Sequence, residues 1–413
     1  MTSASTTATP TASRTAWTML LALTCGFALS QAFRTVAAIM APPLQKEFGL
    51  TPSQLGLFAG SFHFAFGGLQ LFMGMGMDVW GPRRTVLVVS PLTIVGAVIA
   101  ATSHGFGQLL LAQVVIGIGC APAFLVCTVF IARSFPGPQF AAVSGATLGI
   151  GTVGLLLTGT PLAWLIDHAS WRAGFLALAV AAVGAWFAIF ALLRDPPLAP
   201  ADAAAAPASP LAALRGYGEL FRLPYTWGIV VLGLFTYASF LTFRGLWLGP
   251  LLVERHGFSL VQTGNVALAL SLISAFGPPL FGRLDPGVQR RRTWLVAYTF
   301  GMAALFVIMA STRSVLVDIG IGAVFSVLSG YMVLQYADVR SAYPPRMIGR
   351  AMALFTMALF MGVALMQWLT GIVASHAAAM GLETYAAVLG AIALMLASAA
   401  IAFRWLPAPA GTR

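Results

Sequence analysis

Charge is what this chain has least of. Of its 413 residues only 8% are Asp, Glu, Lys or Arg, against 59% hydrophobic. Soluble domains carry about 25% charged residues, so a soluble fold of this size would lack the polar surface to cover itself. Soluble enzymes and nucleic-acid-binding modules are excluded first. Lysine is nearly absent: Lys46 stands against 21 arginines, a usage that hints at a GC-rich bacterial genome. The three cysteines, Cys25, Cys120 and Cys127, all sit in apolar stretches. They make no disulfide framework and no metal-ligand spacing, and read as small core residues. No nucleophile–base pair stands out and no GxxxxGK[ST] loop occurs, so neither an enzyme nor ATP-driven transport is expected, and no cofactor or metal is implied.

In place of charge there are apolar runs of about 20 residues, each long enough to cross a hydrocarbon core of roughly 30 Å as a helix. Barrel strands would alternate in segments of about 10 instead. The pattern predicts twelve helices, over 18–41, 54–77, 85–102, 108–132, 141–166, 173–193, 225–252, 260–281, 293–311, 315–337, 350–374 and 384–405. Arg14, the apolar run after it and Ala28-Leu29-Ser30 imitate a signal peptide. An even number of spans fits the charges, so the segment is read as retained. With both termini cytoplasmic, sixteen basic residues fall inside, and only Lys46, Arg172, Arg255 and Arg313 fall outside. That positive-inside bias sets the orientation and accounts for most of the net charge of +11 without nucleic acid. A multi-pass, monomeric protein of a bacterial cytoplasmic (inner) membrane is expected, with the lipid bilayer as its surroundings.

Residues 195–210, DPPLAPADAAAAPASP, divide the chain six helices to six. This gives a tail at 1–17, a first bundle at 18–193, a cytoplasmic linker at 194–224, a second bundle at 225–405 and a tail at 406–413. Leu211 to Arg222 suits a short amphipathic surface helix. At an offset of 208 the halves share Thr51/Ser259, Gln54/Gln262, Gly56/Gly264, Gly74/Gly282, Arg83/Arg291, Arg84/Arg292 and Thr85/Thr293, and Gly49 meets Gly257. Parallel six-helix repeats place a substrate site between the halves near the bilayer midplane, an architecture of carriers.

Between helices 2 and 3, Gly74, Asp78, Gly81, Arg83 and Arg84 spell GxxxDxxGxRR. Gly74 would allow close helix approach, Gly81 a tight turn, and Asp78 would pair with arginines or cap a helix. A plain positive-inside hairpin explains the arginines but not the aspartate and glycines. The segment resembles the signature loop of the major facilitator superfamily, and the resemblance covers essentially the whole chain. It implies an all-α integral membrane protein of twelve transmembrane helices in two pseudo-symmetric six-helix bundles. It also implies that this loop is a cytoplasmic conformational latch that does not touch substrate. Gln113-Val-Val-Ile-Gly117-Ile-Gly119 stands where the family's fourth helix has RxxxGxG, and the drug exporters' fifth-helix GxxxGPxxGG is missing. Residues 145–161 carry their glycines in another arrangement, suited to close helix packing. Drug:proton antiport loses ground.

Two arginines lie within spans, Arg34 in helix 1 and Arg244 in helix 7, while none of the 11 acids falls in the middle of one. Buried ionisable groups are costly and face a cavity or a partner. An anionic substrate bridging the two guanidiniums would complete them; snorkelling outward is the alternative. Arg34 with Pro42 in FRTVAAIMAP, and Arg244 with Pro250 in FRGLWLGP, resemble the helix 1 and helix 7 arginines of the organophosphate:phosphate antiporters in the superfamily. Organic-anion symporters of the superfamily also use a helix 1 arginine. Gln31, Tyr237, Tyr331 and Gln335 are further substrate-binding candidates, with Ser30 and Asn265 behind them. His63, near the centre of helix 2, is either a packed neutral side chain or a proton carrier. Met73, Met75 and Met77 point in different directions around a helix and cannot share a copper ion. The function expected is secondary active transport of a small organic or phosphorylated anion, by exchange with a counter-anion or by proton coupling. Export of amphipathic drugs is the alternative.

Overall fold

The computed structural model describes residues 14–135, 139–195, 217–344 and 347–409, with the side chains of residues 78, 79 and 140–142 outside that description. Twelve helices are long and apolar enough to span a membrane: α1 Arg14–Phe48, α2 Pro52–Met77, α3 Trp80–Ala101, α4 Phe106–Ser134, α5 Val143–His168, α6 Trp171–Leu192, α7 Pro224–Arg255, α8 Leu260–Arg283, α9 Val288–Ser311, α10 Val315–Ala342, α11 Ile348–Ala379 and α12 Thr384–Trp405. Their bounds follow the apolar runs closely, except that α1 continues seven residues past its expected end. It passes through Pro42 and Pro43 and stops at Gly49, whose φ is 63°. Proline is tolerated there because neighbouring helices enclose the broken turn. Most of the linker and parts of both tails lie outside the described residues. So does the start of the expected surface helix, of which residues 217–221 are helical. Leu220 of that piece is buried against the second bundle.

The repeat in the sequence is a repeat of turn chemistry. Thr51 accepts a hydrogen bond from the backbone N–H of Gln54, whose side chain accepts one from the backbone of Thr51. Ser259 and Gln262 make the same reciprocal pair. Both are capping boxes that satisfy donors left free at a helix start, here those of α2 and α8. Gly81 and Gly287 mark the opposite end of the bundle, with φ of 82° and 81°. A left-handed turn favouring glycine therefore opens α3 and α9 alike.

Packing between the halves is uneven. Near the Gly49 end, Ser53 N–H donates to Ser375 and Thr160 donates to Asn265. There α7 lies so close to α1 that a Cβ on Gly249 would land on the Ala38 carbonyl oxygen. α2 packs along α11 through Gly56, Gly60 and Gly67. The ring contacts joining the halves reach as far as Phe66 against Phe360, 4.5 Å between centroids. The hydrogen bonds that join the halves among the described residues all lie between that level and the Gly49 end.

Candidate functional site

At the middle of the bundle, α1 and α7 carry the site, and α7 is broken there. α7 departs from α-helical geometry at Phe243–Trp247, a π-helical turn, and again at Leu251–Arg255. Such turns widen a helix and re-aim its side chains, and they are frequent at functional sites. Arg244 lies in the first of them, 2% exposed. Its Nη2 donates to Ser271 Oγ at 3.0 Å, while Nε and Nη1 are buried without a hydrogen-bond partner.

Arg34 reaches the same region from α1 and is 6% exposed. Its Nη1 donates to Gln31 Oε1 at 2.6 Å, one helical turn earlier. Its Cζ lies 4.5 Å from the Phe66 ring centre and 4.7 Å from that of Phe360. The planar cation is thus held against one ring from each half, a geometry that offsets part of its burial cost. Nε has no partner. Among the described residues neither arginine forms an ion pair.

Both guanidiniums line one cavity of about 30 Å³, together with Gln31, Thr35, Tyr237, Ser271 and Ser274. α1 and α5 of the first half and α7 and α8 of the second enclose it. Four residues expected from the sequence, Gln31, Arg34, Tyr237 and Arg244, therefore meet at one place. Room for about two waters is all the cavity offers. A larger guest requires the helices to part.

Tyr331 and Gln335 do not join them. α10 tightens into a 3₁₀ turn at Ser329–Tyr331, and Tyr331 packs among Phe281 and Tyr298 with its hydroxyl 3.5 Å from Thr299. Gln335 accepts a hydrogen bond from Thr236 within the second half. Asn265 belongs to the contact with Thr160, and Ser30 lies 3.5 Å from the Cys120 carbonyl. His63 stacks on Phe360, 6.4 Å between ring centres and 11° between planes, with Nδ1 3.1 Å from the Ala59 carbonyl. Its Nε2 and both polar atoms of Gln367 have no hydrogen-bond partner. The histidine is set in the α2–α11 seam, outside the cavity lining.

At the signature loop, Arg83 binds the end of α6. Its backbone N–H donates to Asp195 Oδ1 at 2.8 Å, its Nε to the Leu193 carbonyl at 2.6 Å and its Nη2 to the Phe190 carbonyl. Gly81 makes room for the Asp195 carboxylate, which a Cβ would approach to 3.1 Å. Arg84 is exposed, and the Asp78 side chain lies outside the described residues. Close approach is not what Gly74 provides here, since a Cβ there would meet Leu125 at an ordinary 4.0 Å. Among the glycines of 145–161, Gly151, Gly154 and Gly159 pack against neighbouring helices, whereas Gly145 and Gly149 have open space.

Sequence reasoning missed Phe66, Phe360 and Ser271, because no spacing along one helix shows which rings will flank an arginine on another. It also did not single out Asp318 among the acids outside the middle of the spans. That carboxylate is fully buried, accepting from Arg255 Nη1 at 3.1 Å and lying 2.7 Å from His256 Nε2. An acid 63 residues along the chain from Arg255 and 62 from His256 gives no such signal.

A family model described as Major Facilitator Superfamily matches residues 23–365. Among curated proteins, one from Cupriavidus necator named as a probable sulfoacetate transporter is 25% identical over 62% of this chain and 62% of its own. The hexuronate transporter of Bacillus subtilis is 24% identical over 59% of this chain and 58% of its own. The chain thus matches about three-fifths of the length of these two relatives. Among solved structures, a bacterial homologue of the human lysosomal transporter Spinster, inward-facing and unoccupied, superposes with a TM-score of 0.74 at 18% identity, covering 95% of this chain and 97% of that one.

Proposed function

The chain belongs to the major facilitator superfamily, a family of transporters, and on that premise we propose that it carries a small organic anion across the cytoplasmic membrane by alternating access. One observation carries the reading: two buried guanidiniums, one from each half, line a single cavity in which no carboxylate answers them. A carboxylate, sulfonate or phosphate offers the planar acceptor pair that arginine binds best. Sulfoacetate and hexuronates, for which the two relatives are named, are anions of this kind.

The same geometry supplies a transport step. Under the positive-inside orientation the Gly49 end faces outward, and the halves are joined from there to the level of Phe66 and Phe360. This is the arrangement of a carrier open toward the cytoplasm. An anion held between Arg34 and Arg244 would draw α1 and α7 toward a shared centre, and rocking about it would open the other side. An inside-negative potential opposes anion entry by about 2.3 kcal/mol per charge per 100 mV. Uptake therefore needs exchange against an internal anion or entry with protons. Exchange fits the site better, because His63 stands outside the cavity lining and its Nδ1 already faces the Ala59 carbonyl. The Gly81–Arg84 turn, anchored on Asp195, serves as the latch.

The test is thermal unfolding of the purified chain against sulfonates, mono- and dicarboxylates, phosphate esters and lipophilic cations. A ligand that binds only the folded state raises Tm. A rise with one anion class, lost in Arg244→Gln, is the expected result. Rises confined to cations and unaffected by the substitution would return the arginines to a structural role and favour drug export.

A further inference from the structure

Arginines buried elsewhere in the chain are answered by acids. The side chains of Arg255 and Arg291 are 6% and 7% exposed, and each has a carboxylate. Arg255 Nη1 lies 3.1 Å from Asp318 Oδ2 and its Nε 3.4 Å from Glu383 Oε1, while Arg291 Nη2 lies 2.6 Å from Asp285 Oδ2. At the central cavity the partners are neutral instead. Arg34 has the Gln31 amide and two phenyl rings, and Arg244 has the Ser271 hydroxyl. Such partners spread a charge without cancelling it, so two whole positive charges stand within the spans. The serines of the lining cannot answer an anion in their place. Ser271 donates its proton to the Ala267 carbonyl and Ser274 to the Ser271 carbonyl.

The two charges are also held in different places. The halves meet along α2 and α11 and, separately, along α5 and α8. Arg34 is fixed at the first seam, between Phe66 of α2 and Phe360 of α11. Arg244 is bonded to Ser271 of α8, a helix of the second seam. Each keeps buried donors that no side chain meets: Nε on Arg34, Nε and Nη1 on Arg244. A guest with a single negative charge would neutralise one guanidinium and leave the other buried and uncompensated, which is the costly arrangement.

We propose that the guest is a dianion with two separate acidic groups, one for each guanidinium, of the dicarboxylate or sulfocarboxylate class. This rests on the anion-carrier reading above and adds to it the number and placement of the charges. With such a guest bound the site is neutral, as the Arg255 and Arg291 sites are within the protein. A two-ended guest also ties α1 of one half to α7 of the other, whereas a guest with one acidic end engages one half and leaves the second without a partner.

The test is thermal-shift titration of the full chain in detergent, at slightly alkaline pH, with succinate, glutarate and sulfoacetate, the carboxyl monomethyl ester of each, and methyl phosphate. Each ester nearly keeps the size of its parent and removes one charge, while methyl phosphate puts two charges on one group. A ligand that binds the folded state raises Tm. At least one two-ended dianion should bind about tenfold or more tightly than its own ester and than methyl phosphate. In Arg34→Gln and in Arg244→Gln the ratio of parent to ester should fall to about one, since a single charge remains to be met. Arg34→Lys, which keeps the charge, should preserve the preference. The proposal is overturned if every ester binds as tightly as its parent, if methyl phosphate matches the best two-ended dianion, or if the ratio survives both glutamine substitutions. Each of those results leaves the anion carrier standing, because anions still bind. A response to lipophilic cations alone overturns both readings.

Discussion

Arg34 and Arg244 face one cavity from opposite halves, yet the chain holds them in different ways. Arg34 is flanked by Phe66 and Phe360 and bonded to Gln31. Arg244 has Ser271 alone, with two nitrogens buried and unpaired. A desolvated cation over aromatic faces recovers about 2 kcal/mol or more, so part of the burial cost of Arg34 is met within the protein. That of Arg244 is not, and under the proposed function an anion would meet it. The two arginines would then divide the work, Arg244 leaving donors free for the guest and Arg34 joining the halves, since its flanking rings come from α2 and α11.

Removing each charge should separate these roles most sharply. Truncating one partner of a buried charge pair costs about 2–5 kcal/mol of binding, some 30-fold to more than 1,000-fold in affinity. Arg244→Gln should lose anion binding on that scale and, by deleting an uncompensated buried charge, raise the Tm of the ligand-free protein. Arg34→Gln should weaken binding as well but lower the ligand-free Tm, because its ring and amide partners go unused. Titration by ligand-induced Tm shifts reads both quantities. Parallel Tm changes in the two variants would erase the distinction.

Next in size is the closed end. Gly249→Ala puts a methyl group on the Ala38 carbonyl, and overpacking of this kind costs about 1–3 kcal/mol. Gly249 contacts the other half, so the cost falls on closure and not on folding of either bundle. Transport should fall about tenfold or more, with a small change in Tm. A cysteine introduced as Thr35→Cys should become reactive from the Gly49 side. A large drop in Tm without any gain in labelling would make Gly249 a folding residue.

How much of this was legible in the sequence follows from which interactions are local. The spans rest on continuous apolar runs, a one-dimensional signal, and the arginines at their ends carry the expected orientation. The capping boxes at Thr51 and Ser259 could be read as shared residues because a cap lies within four positions of its partner. Arg34, Gln31 and Arg244 stood out by charge and polarity inside apolar helices. Tyr331 and Gln335 stood out by the same criterion, but the 3₁₀ turn in α10 directs Tyr331 into its own bundle, and Thr236 claims Gln335. Sequence polarity marks what is buried and leaves its direction open. The π-helical turn that aims Arg244 leaves no trace in composition, and the Phe66–Phe360 pair exists only once α2 lies against α11.

Those rings give a smaller effect. Phe360→Leu keeps an apolar contact but removes one face from Arg34, worth about 0.5–2 kcal/mol. Anion affinity should fall by roughly twofold to thirtyfold, and the change should vanish in an Arg34→Gln background, where no cation remains to be stacked. An undiminished effect in that background would show Phe360 acting through packing alone.

The smallest change is expected at His63, the residue that shares Phe360 with Arg34. Its Nδ1 faces the Ala59 carbonyl and its ring stacks on Phe360, so it is packed in the seam and stands apart from the cavity lining. His63→Gln, which keeps a side-chain amide near Gln367, should leave transport within about twofold and its pH profile unshifted. A profile flattened between pH 5 and 8 would instead make His63 the proton carrier. The unequal pair of arginines would then have to be read as a sensor of that proton, with Arg34 responding to it through Phe360 and Arg244 left to the anion.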